Sequence, residues 1–414
     1  MPMPECFGRR DAEALDRRDE LAPLRDEFVL PEGVVYLDGN SLGALPRSVP
    51  ERVNAFINDE WGRDLITSWN AHGWFDSPHR VGAKLAPLLG AAPDQVLVCD
   101  NLSLNIFKIL SGAVALRPDR SVIVTELGNF PTDLYMADSV AAVHGLEVRT
   151  VDAGSVLDAI DDDVAVVSLS HVDFRTGEVL DLPAITRAAH EAGALAMWDL
   201  AHSTGVMAAD LDLNDVDFAV GCGYKYLCGG PGAPAFQYVN RRLHAEFRHP
   251  LEGWHGHADP FALTRGFEPG PGMTRLRTGT PAMLSMVAFE EALEVFAGVD
   301  LAQIRTKSMA LTQLFIDLVG ERLADEPFEL VAPADASRRG SQVSFAHPDA
   351  YPIVQALIAR GVIGDFREPD RLRVGFAPLY VRYVDVWRAV ATLCSVISTR
   401  QWDQPHFHER STVT

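Results

Sequence analysis

Ala194-Leu195-Ala196-Met197-Trp198-Asp199-Leu200-Ala201-His202-Ser203, then Phe218-Ala219-Val220-Gly221-Cys222-Gly223-Tyr224-Lys225-Tyr226-Leu227, is the stretch on which the fold turns. Of two short apolar runs, Ala194–Trp198 runs directly into Asp199, and Phe218–Gly221 leads through Cys222-Gly223 to Tyr224-Lys225. Apolar runs of this length bounded by polar turns read as buried strands. An Asp directly after such a strand, and a Lys flanked by two tyrosines beside the glycine-rich Gly229-Gly230-Pro231-Gly232, are costly to bury without partners.

The same alternation extends outward from about 80 to 240. Strands are predicted at Gln95–Cys99, Ser121–Thr125 and Val164–Leu169, and helices at Ser103–Val114, Asp133–Val143 and Leu182–Glu191. Strand–helix alternation with apolar strands predicts an α/β fold, a mostly parallel doubly wound sheet with helices on both faces. Ligands of such sheets sit beyond the carboxyl ends of the strands. Further out, Val34–Leu37 reads as a brief strand running into Asp38-Gly39-Asn40-Ser41-Leu42-Gly43, and Ser48–Arg63 as a helix. Residues 281–322 read as one or two long helices, with Leu301, Ile304, Leu311, Leu314, Phe315 and Leu318 as a core stripe. Beyond 330 a small α+β unit is predicted, with strands Ser341–Phe345, Val362–Asp365 and Leu372–Phe376 and helices Tyr351–Ala359 and Val384–Ile397. The expected division is an N-terminal arm over 1–65 packing with the small domain, a large domain over 66–290 and a small C-terminal domain over 291–414.

The chain has 414 residues with 36 Lys+Arg against 57 Asp+Glu, a formal charge of −21. That balance argues against nucleic acid and anionic membranes as partners. No apolar run approaches the ~18 residues of a membrane helix. The first thirty residues are too charged for a signal peptide. Cys6, Cys99, Cys222, Cys228 and Cys394 are odd in number and scattered, which suits free thiols in a reducing compartment. The expectation is a soluble cytoplasmic protein without a metal site: the pairs His255/His257 and His406/His408 have no partner cluster.

Asp199 and Lys225 admit two readings: a structural ion pair, or a pyridoxal-phosphate site in which Lys225 forms the Schiff base and Asp199 keeps the pyridine nitrogen protonated. Ser103, at an expected helix start after Cys99-Asp100-Asn101-Leu102, is either an N-cap or part of a phosphate site. The strand-end Asp, the Lys one βα step later and a helix-start phosphate site together favour the cofactor. Arg373, on a strand of the small domain, has the planar fork suited to a carboxylate.

With Asn129-Phe130-Pro131-Thr132-Asp133, Gly361-Val362-Ile363-Gly364-Asp365-Phe366-Arg367 and Arg373-Val374-Gly375-Phe376-Ala377-Pro378-Leu379-Tyr380, these segments resemble the signatures of the bacterial kynureninase family, from about residue 21 to the C-terminus. The resemblance implies a fold-type I, class V pyridoxal-phosphate enzyme. It further implies a homodimer with shared active sites and hydrolysis of L-kynurenine to anthranilate and L-alanine in tryptophan catabolism, on the kynurenine pathway that also serves NAD biosynthesis. Carried over residue by residue, Lys225 is the Schiff-base lysine, Asp199 pairs the pyridinium nitrogen and His202 lies close to the ring. Phe130 stacks on the ring, with Asp133 beside it. Leu102, Ser103, Ser170 and Tyr224 contact the cofactor, and Trp254 and Thr280 resemble phosphate contacts from the partner subunit. Arg373 holds the substrate α-carboxylate, and Ser41 and Trp69 line its pocket. Asn101-Leu102 departs from the Thr-Thr common before this Ser in bacterial relatives. Gly279 and Trp69 resemble the pattern that favours kynurenine over 3-hydroxykynurenine. The implied chemistry frees Lys225 to take the α-proton, adds water to the γ-ketone and breaks the β–γ bond, with Tyr224 as the candidate proton shuttle. A cysteine desulfurase, the nearest alternative, needs a mobile thiolate, whereas Cys394 falls in a predicted helix. A class V aminotransferase would need a keto-acid acceptor, and a non-catalytic binding protein would not need the Asp199–Lys225 pair.

Overall fold

The computed structural model describes residues 7–410. Its centre is a seven-stranded sheet. From one edge to the other the strands are Val96–Val98, Ala235–Val239, Phe218–Cys222, Leu195–Asp199, Val164–Ser170, Val122–Glu126 and Glu147–Val151. The five from Phe218–Cys222 to Glu147–Val151 run parallel to their neighbours. Ala235–Val239 is antiparallel to both of its neighbours. Six of the seven strands lie buried, as expected of a sheet covered on both faces. Glu147–Val151 at the edge is half-exposed and mixes Glu, Arg and Thr with valines, so it lacks the apolar signature of its neighbours.

Helices return the chain between strands. Leu102–Ala115 follows the first strand and is capped by Asn101, whose Oδ1 accepts the Leu104 N–H at 3.0 Å. The cap is therefore Asn101, and Ser103 sits inside the first turn. Pro131–His144 begins on a proline, whose missing N–H costs nothing at a first turn, and ends at Gly145 with φ +71°.

A four-stranded antiparallel sheet forms the second layer system, ordered Glu329–Leu330, Gln342–Ala346, Arg371–Gly375 and Asp365–Arg367. Leu301–Arg322, Ala350–Ala359 and Tyr383–Ser398 pack around it. Of the expected core stripe, Ile304, Leu311, Leu314, Phe315 and Leu318 are buried, and Leu301 at the helix start is half-buried. The predicted strand Val362–Asp365 is two strands instead. Val362–Ile363 pairs in parallel with Val35–Tyr36, while Asp365–Arg367 turns into the small sheet. The helix predicted over Ser48–Arg63 is α-helical at Val49–Ala55 and widens to π over Phe56–Trp61. Helix Arg9–Asp16 packs on Tyr383–Ser398, and Asp16 accepts the Tyr383 and Val384 N–H groups at 2.7 and 3.1 Å. Among the described residues no helix is long and apolar enough to cross a membrane. Cys6 lies outside the described residues; Cys99, Cys222, Cys228 and Cys394 are free thiols.

Candidate active site

Ser170 and Asp199 end adjacent parallel strands in register with each other. Asp199 is fixed by the Ala201 N–H, which donates to Oδ1 at 2.7 Å. Three residues beyond the next strand, Lys225 Nζ lies 3.0 Å from His202 Nε2. His202 Nδ1 in turn lies 2.9 Å from Gln342 Oε1, on the small sheet. The lysine turn is seated on the N-terminal motif. The Gly43 N–H donates to Tyr224 O at 2.8 Å, and a Cβ on Gly43 would collide with the Lys225 carbonyl and with Cys228. Only glycine allows that approach.

Asp133, on the first turn of Pro131–His144, is 2% exposed, and neither carboxyl oxygen has a hydrogen-bond partner among the described residues. Burial, and then the neighbouring Asp199, push its carboxyl well above the usual range, against the pull of Lys225. Burial raises Asp199 as well, again opposed by Lys225. His202 is pushed well below the usual imidazole value, first by burial and then by Lys225 and Arg373. Burial also raises the phenol of Tyr224, so it keeps its proton. A lysine amine, two buried carboxyl groups and an acceptor imidazole thus converge where the strands end, and Asp133 still lacks a hydrogen-bond donor.

Phe130 forms one wall. Lys225 Nζ is 5.9 Å from its ring centroid, and the edge of Phe174 meets the ring at 5.1 Å. Ser170 Oγ donates to Asn129 Oδ1 at 2.7 Å, and the Phe130 N–H donates to the same oxygen at 2.8 Å. The four-stranded sheet supplies Arg373, 1% exposed. Its Nε donates to Asp365 Oδ1 at 2.8 Å and its Nη2 to Asp365 Oδ2. Nη2 also reaches Ser41 Oγ at 3.1 Å, and Nη1 reaches Phe174 O at 2.5 Å. Of the five guanidinium donors, one proton on Nη1 is left over. The fork expected to meet a substrate therefore faces Asp365, a residue to which sequence reasoning assigned no role.

A second group surrounds the start of helix Leu102–Ala115. That start leaves the Leu102 and Ser103 N–H groups without intrahelical acceptors. Asp100, at φ +52°, is held by Lys108 Nζ at 2.6 Å and by Thr278 Oγ1 at 3.1 Å. Asn101, Gly279 and Thr280 line a cavity of about 290 Å³ beside them. Thr280, assigned by resemblance to the partner's site, thus lies beside this chain's own helix start. Trp69 and Trp254 both pack on His255, with ring centroids at 6.0 and 4.0 Å. Gln342, Asp365 and Asn129 are the residues that sequence reasoning missed. Asn129 and Asp365 lay inside recognised motifs, whereas nothing near Gln342 in the chain marks it.

Comparison with known proteins decides the family. The chain is 51% identical over 413 residues to kynureninase of Burkholderia mallei, covering 98% of this chain and 99% of that protein. It belongs to the kynureninase family. Residues 304–393 match the kynureninase C-terminal domain. Among solved structures, this kynureninase-family chain resembles the cysteine desulfurase of Escherichia coli with a TM-score of 0.77 at 22% identity, covering 92% of this chain and 99% of that one. It resembles a variant of a cystine C–S lyase, carrying glycine covalently linked to its PLP cofactor, with a TM-score of 0.77 at 18% identity, covering 89% and 98%. At those identities the likeness is one of fold.

Proposed function

We propose that the protein is a pyridoxal-phosphate-dependent hydrolase that cleaves the β–γ carbon bond of L-kynurenine, releasing anthranilate and L-alanine, and that it works as a homodimer. The observation that carries the reading is the convergence of Lys225, His202, Asp199 and Asp133 in one buried cluster. Asp133, with both oxygens buried and unpartnered, fits a site completed by a polar group that the protein itself does not provide. The exposed Phe130 face and the free N–H groups at the Leu102 helix start suit an aromatic ring and a phosphate.

Lys225 would hold the cofactor covalently, Asp199 would pair its ring nitrogen, and Leu102, Ser103, Ser170 and Tyr224 would meet its oxygens. Bound there, pyridoxal phosphate supplies an electron sink for charge left on the substrate α-carbon. The chain's own residues do the rest. Arg373 and Ser41 orient the substrate carboxylate. The Lys225 amine moves the proton at the α-carbon. Tyr224, kept protonated by burial, donates at the β-carbon. Phe130 and Phe174 form an apolar wall against water. Gly279, where an added Cβ would meet nothing within 4 Å, offers no group to a ring hydroxyl, which supports kynurenine over its 3-hydroxy form.

A homodimer with 1–65 as an arm, 66–290 as the large domain and 291–414 as the small one would account for the exposure of Leu65, Ile66 and Trp61, the last lining one pocket with Leu284. The described thiols argue against a desulfurase: burial pushes Cys99 and Cys228 up to about 12 and raises Cys222 and Cys394, which disfavours a thiolate. The test is to load the protein with pyridoxal phosphate and follow anthranilate fluorescence and alanine together, without a keto acid. Equal release of both is expected. Sulfide from cysteine with no anthranilate from kynurenine would overturn the reading.

A further inference from the structure

Gln342 stands on the small sheet, wholly buried, and its amide has a forced orientation. Nε2 lies 3.0 Å from the carbonyl oxygens of both Asp173 and Phe174. Carbonyl oxygens only accept, so the –NH2 end must face them. The other end, Oε1, then faces His202 Nδ1 at 2.9 Å and can only accept. His202 must therefore carry its proton on Nδ1. In a neutral imidazole that leaves Nε2 as a bare lone pair, and Nε2 is the atom 3.0 Å from Lys225 Nζ. Cations border the ring, with Lys225 in contact and Arg373 and Arg367 further off.

We infer that Gln342 is a positioning residue that fixes His202 as the Nδ1–H tautomer and so presents a hydrogen-bond acceptor at Nε2 to the Lys225 amine and to the group that Lys225 holds. The small domain reaches into the large one to set the protonation state of a side chain beside the reactive lysine. Through Asp173 and Phe174, Gln342 ties that setting to the loop whose Phe174 packs on Phe130 and whose Phe174 carbonyl meets Arg373. The contact between the small sheet and this loop and the orientation of His202 thus depend on one side chain. The catalytic meaning rests on the cofactor reading above; the tautomer does not.

The test is nitrogen-15 NMR of the histidine side chains in the full-length protein, with and without added pyridoxal phosphate, His202 being assigned by its loss in His202→Asn. The wild-type spectrum is expected to show a protonated Nδ1 and a bare Nε2 through the neutral pH range. Gln342→Leu removes the acceptor and should give mixed or reversed tautomers. Gln342→Glu keeps an acceptor oxygen toward Nδ1, while its second oxygen needs a proton to face the Asp173 and Phe174 carbonyls, so Nδ1–H should be kept where that carboxyl is protonated. In the loaded enzyme, Gln342→Leu should lower kcat/KM by roughly tenfold to a hundredfold, with Gln342→Glu closer to wild type. An Nε2–H tautomer in the wild type, or an unchanged tautomer in Gln342→Leu, would overturn the proposal. Because the wild-type spectrum needs no turnover, absence of anthranilate release would count against the activity and leave the tautomer result standing.

Discussion

Asp365 holds Arg373 through two hydrogen bonds, one to Nε and one to Nη2, with both side chains 1% exposed. Arg367 Nη2 shares the same carboxylate at 2.7 Å, and Ser41 Oγ donates to it at 3.0 Å. A carboxylate surrounded by two guanidinium groups orients both and leaves little for a ligand to displace beyond Ser41 and the Phe174 carbonyl.

Removing that carboxylate strands buried positive charge. Asp365→Ala is expected to lower stability by about 3–5 kcal/mol, read from urea unfolding, because losing one partner of a buried pair leaves the other uncompensated. Arg373→Lys keeps the charge but loses the planar fork. Its KM for kynurenine should rise strongly while the affinity for pyridoxal phosphate stays unchanged. Equal loss of both affinities would mean that Arg373 serves the cofactor and not the substrate.

Lys225→Ala should retain the cofactor without a covalent link. Borohydride reduction and peptide mapping of the wild-type protein are expected to place the pyridoxyl label on Lys225. A label on any other lysine contradicts the assignment.

For Tyr224→Phe the expected change is a fall in turnover by ~10²–10⁴-fold, the usual weight of a general acid. The visible absorption of the cofactor-loaded protein should persist. Unchanged turnover would remove Tyr224 from the mechanism and leave the reaction intact.

Glu126 closes the strand before Asn129 and Phe130, and burial followed by repulsion from Asp173 pushes its carboxyl from 4.5 up to about 7. Between those values the folded protein holds a proton that the unfolded chain has released. The contribution to stability is therefore complete below about pH 4.5 and is lost as pH rises through 7. Glu126→Gln cannot ionise. Its melting temperature should match the wild type in acid and exceed it above neutrality, measured by calorimetry across that window. A pH-independent difference would show that the carboxyl is not held protonated.

The parallel sheet, the strand-end position of Asp199 and the prominence of Lys225 were legible in the amino-acid order, because each depends on local patterning. Apolar runs of strand length declare themselves, and a charge set against them is costly wherever the chain goes. Strands without that pattern escaped notice. Glu147–Val151 is half-exposed at the sheet edge, and Ala235–Val239 enters antiparallel, outside the strand–helix rhythm. The partners of these side chains emerge only once the chain is folded. Gln342 meets His202 across 140 residues of chain, and Arg373 meets Ser41 across 332. Nothing near Gln342 marks it, since a glutamine's worth as an acceptor depends on which groups occupy its other end. Arg373 shows the same limit: its fork was legible as a carboxylate binder, but that the carboxylate at hand is Asp365 depends on the antiparallel pairing that sets those two residues opposite each other on neighbouring strands.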